Sequence, residues 1–129
     1  MTDTDKLSIL VVDDEPAIRT LIRRYLKDDA IDLTIAATGA EALEAARNIP
    51  KLSLLLTDVM MPELEGHELA RQLRRREPDL KVLYLTGHAD RLFDAKQQLW
   101  DLEAFLEKPF TKESLRQAIA QLAFGRLQL

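Results

Sequence analysis

The chain has 129 residues, 47% hydrophobic and 31% charged, with no cysteine, which suits one self-folding globular domain and excludes disulfides, thiol catalysis and cysteine metal sites. A net charge of −4 argues against nucleic acid or an anionic membrane as partner, because both repel an acidic surface. The polar start, residues 1–6, lacks the basic and apolar stretches of a signal peptide, and no run reaches transmembrane length, so the expected setting is cytoplasmic.

In chain order, Leu7 to Val12 is an apolar, partly β-branched run that stops abruptly at Asp13, Asp14 and Glu15, as a buried strand stops at a functional loop. Pro16 suits a first helical turn, and Ile18, Leu21, Ile22, Tyr25 and Leu26 then recur at helical spacing, with Arg19, Arg23, Arg24 and Lys27 expected on the solvent side. Leu33 to Ala37 reads as a second strand. Thr38 followed three residues later by Glu41 is a capping-box signature, opening a helix through about Ile49, and Pro50 ends it.

Leu52 to Thr57 is the most apolar strand candidate and runs into Asp58, followed by a loop with Pro62 and Gly66 and a helix bearing Leu69, Ala70 and Leu73. Arg74, Arg75 and Arg76 at its end read as a solvated face that also suits the helix dipole. Lys81 to Thr86 is a fourth strand. Residues 90–100 are expected to form a helix whose apolar stripe is broken by Lys96. Ala104 to Glu107 is a fifth strand running into Lys108 and Pro109, after which Thr111 caps a final helix with Leu115, Ile119 and Leu122 inward. No repeat or linker interrupts the series, so a single domain over 1–129, with its core about 7–124, is expected.

Strand and helix alternate five times with short connections, the pattern that forces parallel strands and right-handed helical crossovers, so the fold class is α/β with an open sheet. Ligands of such sheets bind beyond the carboxyl ends of the strands. Standing there are Asp13 and Asp14, Asp58, Thr86 and Lys108; only the second strand, ending at Ala37 and Thr38, is chemically bland. Carboxylates converging on one pocket repel each other and raise each other's pKa, so a cation must enter. The lack of cysteine and near-lack of histidine favours Mg²⁺, which takes one or two carboxylates plus a phosphate. A carboxylate nucleophile forming an aspartyl phosphate is a known chemical route. Lys108 would then neutralise phosphate oxygens, and Thr86 would donate a hydrogen bond to one.

Singly, each residue has a plainer reading: Asp13 and Asp14 as a helix cap, Asp58 or Thr86-Gly87 as turn chemistry, Phe105 as core, His88 as an exposed loop residue. Together, Asp13-Asp14 after an apolar strand, Asp58 in Thr57-Asp58-Val59-Met60-Met61-Pro62-Glu63-Leu64-Glu65-Gly66, Thr86-Gly87 and Lys108-Pro109-Phe110 resemble the response-regulator receiver family of two-component signalling, over about the whole chain. The resemblance implies a flavodoxin-like, doubly wound (βα)5 fold with a five-stranded parallel sheet in the order 2-1-3-4-5. It implies Asp58 as phosphoacceptor, with Mg²⁺ held by Asp13, Asp14, Asp58 and the main-chain carbonyl of Met60, and Lys108 and Thr86 as the other catalytic groups. It further implies a cis peptide bond at Lys108-Pro109, a switch pair Thr86 and Phe105, and phosphate lifetime tuned at Met60 and His88. The partner would be a histidine kinase or a histidine phosphotransfer protein, docking near the first helix at Ala17, Ile18 and Thr20. Output would be read on the face of the fourth helix, fifth strand and fifth helix, which would also be the place for a weak dimer.

Three other readings compete. A haloacid dehalogenase-like phosphatase places a second Asp two residues after its nucleophile, where this chain has Glu15 beside Asp13, and the chain lacks length for a cap. A flavodoxin-like cofactor binder would offer hydroxyls and amides to a phosphate, whereas Asp13-Asp14-Glu15 would repel one. A pseudo-receiver would lack one of the acidic or lysine positions. The expectation is therefore a signalling domain that catalyses only its own phosphorylation and dephosphorylation, either free-standing or excised from a hybrid kinase or longer regulator.

Overall fold

The computed structural model describes residues 6–61, 63–87 and 103–124. Pro62, His88 and the helix expected over 90–100, with Leu92, Phe93, Lys96, Leu99 and Trp100, lie outside the described residues. Five parallel strands form one sheet in the order β2-β1-β3-β4-β5, with β1 Leu7–Val12, β2 Ile31–Ala36, β3 Leu54–Asp58, β4 Lys81–Thr86 and β5 Glu103–Glu107. The helices are α1 Pro16–Tyr25, α2 Gly39–Ala46, α3 Gly66–Leu73 and a last described helix, α4, Lys112–Phe124. This is the expected class and strand order.

The apolar runs of β1 and β3 are explained by burial on both faces. Because side chains alternate across a strand, Leu10, Val12, Leu55, Val82 and Tyr84 point to one side, where they pack with Ala42 and Ala46 of α2 and Leu69, Ala70 and Leu73 of α3. Ile9, Val11, Leu54, Leu56, Leu83 and Leu85 point to the other, against Ile22 of α1, Leu26 just beyond it, and Leu115 and Ile119 of α4. These two cores fix the sheet between its helix layers and hold all five strand ends at one level. Among the described residues no helix is long and apolar enough to cross a membrane.

Local signals act largely as expected. Thr38 Oγ1 accepts a hydrogen bond from the Glu41 amide at 3.0 Å, while the Glu41 carboxylate reaches back to the Ala37 amide at 2.8 Å, one residue earlier than a capping box requires. Thr111 Oγ1 likewise accepts from the Ser114 amide at 3.0 Å to start α4.

Several bounds differ from the sequence reading. Strand β2 begins at Ile31 rather than Leu33, because pairing with Leu7 extends it downward. Helix α2 stops at Ala46, not Ile49: the amides of Arg47, Asn48 and Ile49 each donate three residues back, and Arg76 takes the carbonyls of Ala46 and Ile49 at 2.7 and 3.1 Å. Arg75 and Arg76 are exposed, as a solvated arginine face expects. That face is corrected at Arg74, whose Nε and Nη2 donate to the Leu80 carbonyl at 3.1 and 2.9 Å, and whose Nη1 pairs with Glu103 at 2.7 Å.

Candidate functional site

The pocket lies where β1, β3 and β4 end, and register places its residues side by side. Val12 pairs with Thr57, Asp58 with Leu85, and Thr86 with Glu107, so Asp13, Asp58, Thr86 and Lys108 all fall at the carboxyl edge. Asp13 and Thr86 are buried, Asp58 is 8% exposed and closes β3, and Asp14 is exposed. Carboxylate oxygens of Asp13, Asp14 and Asp58 lie within 4.8 Å of one another.

The loop backbone explains that convergence. Asp13 Oδ1 accepts from the Glu15 amide at 2.8 Å, and Asp58 Oδ1 accepts from the Met60 amide at 3.2 Å. The Val59 amide donates to the Leu85 carbonyl and Gly66 to the Val59 carbonyl, folding the β3–α3 loop over the strand end. Gly66 has to be glycine, since a Cβ there would overlap the Asp58 carbonyl oxygen and press the Thr57 methyl. Gly66→Ala is expected to lower stability by about 1–3 kcal/mol through that overpacking and to displace Asp58. Thermal unfolding alongside a Mg²⁺ titration checks both; a parent-like melting temperature would contradict it.

Lys108 is the pocket's cation. Its ammonium lies 2.9 Å from Glu15 Oε1, 3.1 Å from Asp13 Oδ2 and 3.4 Å from Asp58 Oδ2. Its amide donates to the Thr86 carbonyl at 2.8 Å, and the Lys108-Pro109 peptide bond is cis, as expected. Burial alone would lower the lysine pKa, but the close carboxylates of Glu15, Asp13 and Asp58 outweigh it and raise the pKa. Burial pushes the carboxyls of Asp13 and Asp58 up, against the lowering by the Glu15 amide at Asp13 and by the Lys108 charge at Asp58.

Asp13 Oδ2 stays without a hydrogen bond although buried, because the ammonium 3.1 Å away does not meet it with hydrogen-bond geometry. A buried anionic oxygen left this way is costly, and a hard cation held by the three aspartates would satisfy it. The all-oxygen donor set fits Mg²⁺.

Thr86 and Phe105 share one face of adjacent strands, since Tyr84 pairs with Phe105 and Thr86 with Glu107. Phe105 is half-buried, packed on the core that contains Tyr84, and stands two residues below the pocket edge. Met60 is 48% exposed.

Two site residues escape sequence reasoning. Among the described residues Glu15 is the nearest carboxylate to Lys108, across 93 positions of sequence, and only the acidic run Asp13-Asp14-Glu15 hints at it. Arg19, expected on the solvent side of α1, instead donates to the Asp13 carbonyl at 2.7 Å and ties the helix to the loop; its place six residues after Asp13 is the only signal.

The family model described as response regulator receiver domain matches residues 9–120. The chain is 32% identical over 116 residues to the sensor kinase CckA of Brucella abortus, covering 89% of this chain and 12% of that protein. It is 39% identical over 121 residues to the response regulator MprA of Mycobacterium leprae, covering 90% and 50%. Its fold superposes on a response regulator receiver protein from Sinorhizobium medicae with a TM-score of 0.80 at 27% identity, covering 93% of this chain and 96% of the other. The chain thus spans a fraction of these curated relatives' lengths and nearly all of a receiver structure, and it belongs to the response regulator receiver domain family of two-component systems.

Proposed function

We propose that Asp58 accepts a phosphoryl group from a phosphohistidine of a histidine kinase or histidine phosphotransfer protein. The observation that carries this reading is the acidic triad, within 4.8 Å, closed by one lysine ammonium, with a buried oxygen of Asp13 left over. An Asp58 carboxylate oxygen would attack phosphorus as the phosphorus–nitrogen bond breaks and the electron pair returns to the imidazole, leaving an acyl phosphate. Receiver domains bind Mg²⁺ through an acidic aspartate pocket, and here Asp13, Asp14, Asp58 and the Met60 carbonyl would hold it. That ion supplies charge neutralisation at the phosphoryl oxygens. Lys108 binds a second oxygen, and Thr86 donates to a third. Within this reading the chain is one receiver unit with its core at 7–124, it works in the cytoplasm, and it catalyses only its own phosphorylation and dephosphorylation.

Acetyl phosphate with Mg²⁺ should add one phosphate to the intact mass of the parent chain; no adduct under any Mg²⁺ concentration would sink the reading. Asp13→Asn should weaken Mg²⁺ binding by at least the roughly tenfold seen when a metal site's surroundings are disturbed. An unchanged titration would mean the metal ligands are misassigned.

Docking would use α1 beside the mouth, where Ala17 and Thr20 are exposed. Output would be read through Thr86 and Phe105 on the face of β5 and α4, together with residues 90–100, and a weak dimer would use that same face. One charge-assisted hydrogen bond of roughly 1.5–3 kcal/mol from Thr86 to the phosphate shifts such an equilibrium about tenfold to a hundredfold, a bias rather than an absolute switch. Beryllofluoride with Mg²⁺ should therefore move the amide resonances of residues 103–110 as well as those near Asp58. Shifts confined to the Asp58 loop would argue for another output face.

A further inference from the structure

We propose that Glu15 is a positioning residue that holds the Lys108 ammonium before phosphorylation and competes with the incoming phosphoryl group for it. The inference rests on the reading of Asp58 as phosphoacceptor. Of the three carboxylates around Lys108, Glu15 is the nearest, at 2.9 Å, and by far the most exposed, at 59% of its side chain against 0% for Asp13 and 11% for Asp58. The buried pair cannot turn away from the ammonium without stranding a charge. Glu15 can release it to water.

The backbone of Glu15 is pinned, while among the described residues its side chain reaches only Lys108. Its amide is taken by Asp13 Oδ1 at 2.8 Å, and its carbonyl accepts from the Ile18 and Arg19 amides at 3.1 Å. It stands at the N-cap of α1, yet its side chain makes no capping hydrogen bond, although a capping carboxylate there would also be favoured by the dipole. The carboxylate instead reaches across to β5's end. The ammonium donates to Glu15 Oε1 and Asp58 Oδ2, and of these two partners Glu15 is the exposed one that a phosphoryl oxygen can displace. The displaced carboxylate swings outward, so the anion gains Lys108 at the expense of an exposed ion pair.

The test is beryllofluoride binding at saturating Mg²⁺ to the parent chain, Glu15→Gln and Glu15→Asp, at low and high salt, with the Lys108 side-chain ammonium resonance followed before the anion is added. Glu15→Gln should bind beryllofluoride about twofold to fivefold more tightly at low salt, the size of one exposed ion pair, and the gain should shrink near molar salt through screening. Its Lys108 resonance should move, while Glu15→Asp stays near the parent in both readouts. Unchanged or weaker binding in Glu15→Gln, a gain that salt leaves intact, or a Lys108 resonance that does not move would overturn the inference while leaving Asp58 as phosphoacceptor. Failure of the parent itself to bind beryllofluoride would remove the phosphoacceptor reading and this inference together.

Discussion

Asp58→Asn is expected to abolish the phosphate adduct formed with acetyl phosphate and Mg²⁺, a loss on the order of 10³-fold or more, as for removal of other nucleophiles. The amide keeps the shape of the carboxylate and its place at the end of β3 but has no nucleophilic oxygen. Neither neighbour can replace it. Asp13 is fully buried with one oxygen engaged by the Glu15 amide and the other against Lys108, and Asp14 is the exposed member of the triad. Stability separates this loss from unfolding, and its sign follows from the pKa. Burial raises the Asp58 pKa in the folded chain, so its charged form opposes folding at neutral pH, and that penalty disappears as pH falls below the ordinary carboxyl range. In Mg²⁺-free buffer at neutral pH the neutral amide should therefore melt at or above the parent temperature, by up to about 1 kcal/mol. An adduct persisting in Asp58→Asn, in a chain that melts normally, would move the phosphoacceptor to Asp13 or Asp14.

What could be read from the sequence was whatever depends on neighbours along the chain. Apolar runs such as Leu7–Val12 and Leu54–Leu56 end at charged residues because a strand buried on both faces must surface at its end, and parallel strands all surface on the same edge. The triad, Thr86 and Lys108 were therefore legible as one group before any distance was known. Contacts made across the sheet were not. Lys108 meets Glu15 over 93 positions, and Arg74 meets Glu103 over 29, so no local pattern distinguishes Arg74 from the exposed Arg75 beside it. A retrievable signal did exist: an acidic residue, Glu103, opens a strand that must pack on a core, and a buried carboxylate demands a cation. The end of α2 is illegible for the same reason, since its last carbonyls are taken by Arg76 in the turn after α3, which propensity along α2 cannot show.

Arg74→Met is expected to lower stability by about 3–5 kcal/mol, the loss usual when one partner of a buried ion pair is removed, or roughly 10–20 °C in melting temperature for a domain of this size. The Glu103 side chain is 0% exposed and that of Arg74 is 10%. Glu103 Oε2 accepts from Arg74 Nη1 at 2.7 Å and from the Tyr84 hydroxyl at 3.2 Å. Burial first, and then the charge and hydrogen bond of Glu103, push the Tyr84 hydroxyl pKa above its usual range, so the tyrosine remains a neutral donor and cannot supply the counter-charge. Without the guanidinium, Glu103 must either stay charged against hydrocarbon or take up a proton at neutral pH, and both penalise the folded state. Replacing both members, Arg74→Met with Glu103→Leu, removes the stranded charge and should recover most of the loss, because apolar side chains of similar volume substitute well for a buried pair. Urea unfolding of the parent, the single and the double variant separates the two contributions of Arg74, which also donates twice to the Leu80 carbonyl. If the double variant is as unstable as Arg74→Met alone, the Leu80 contacts rather than the ion pair hold α3 to the sheet.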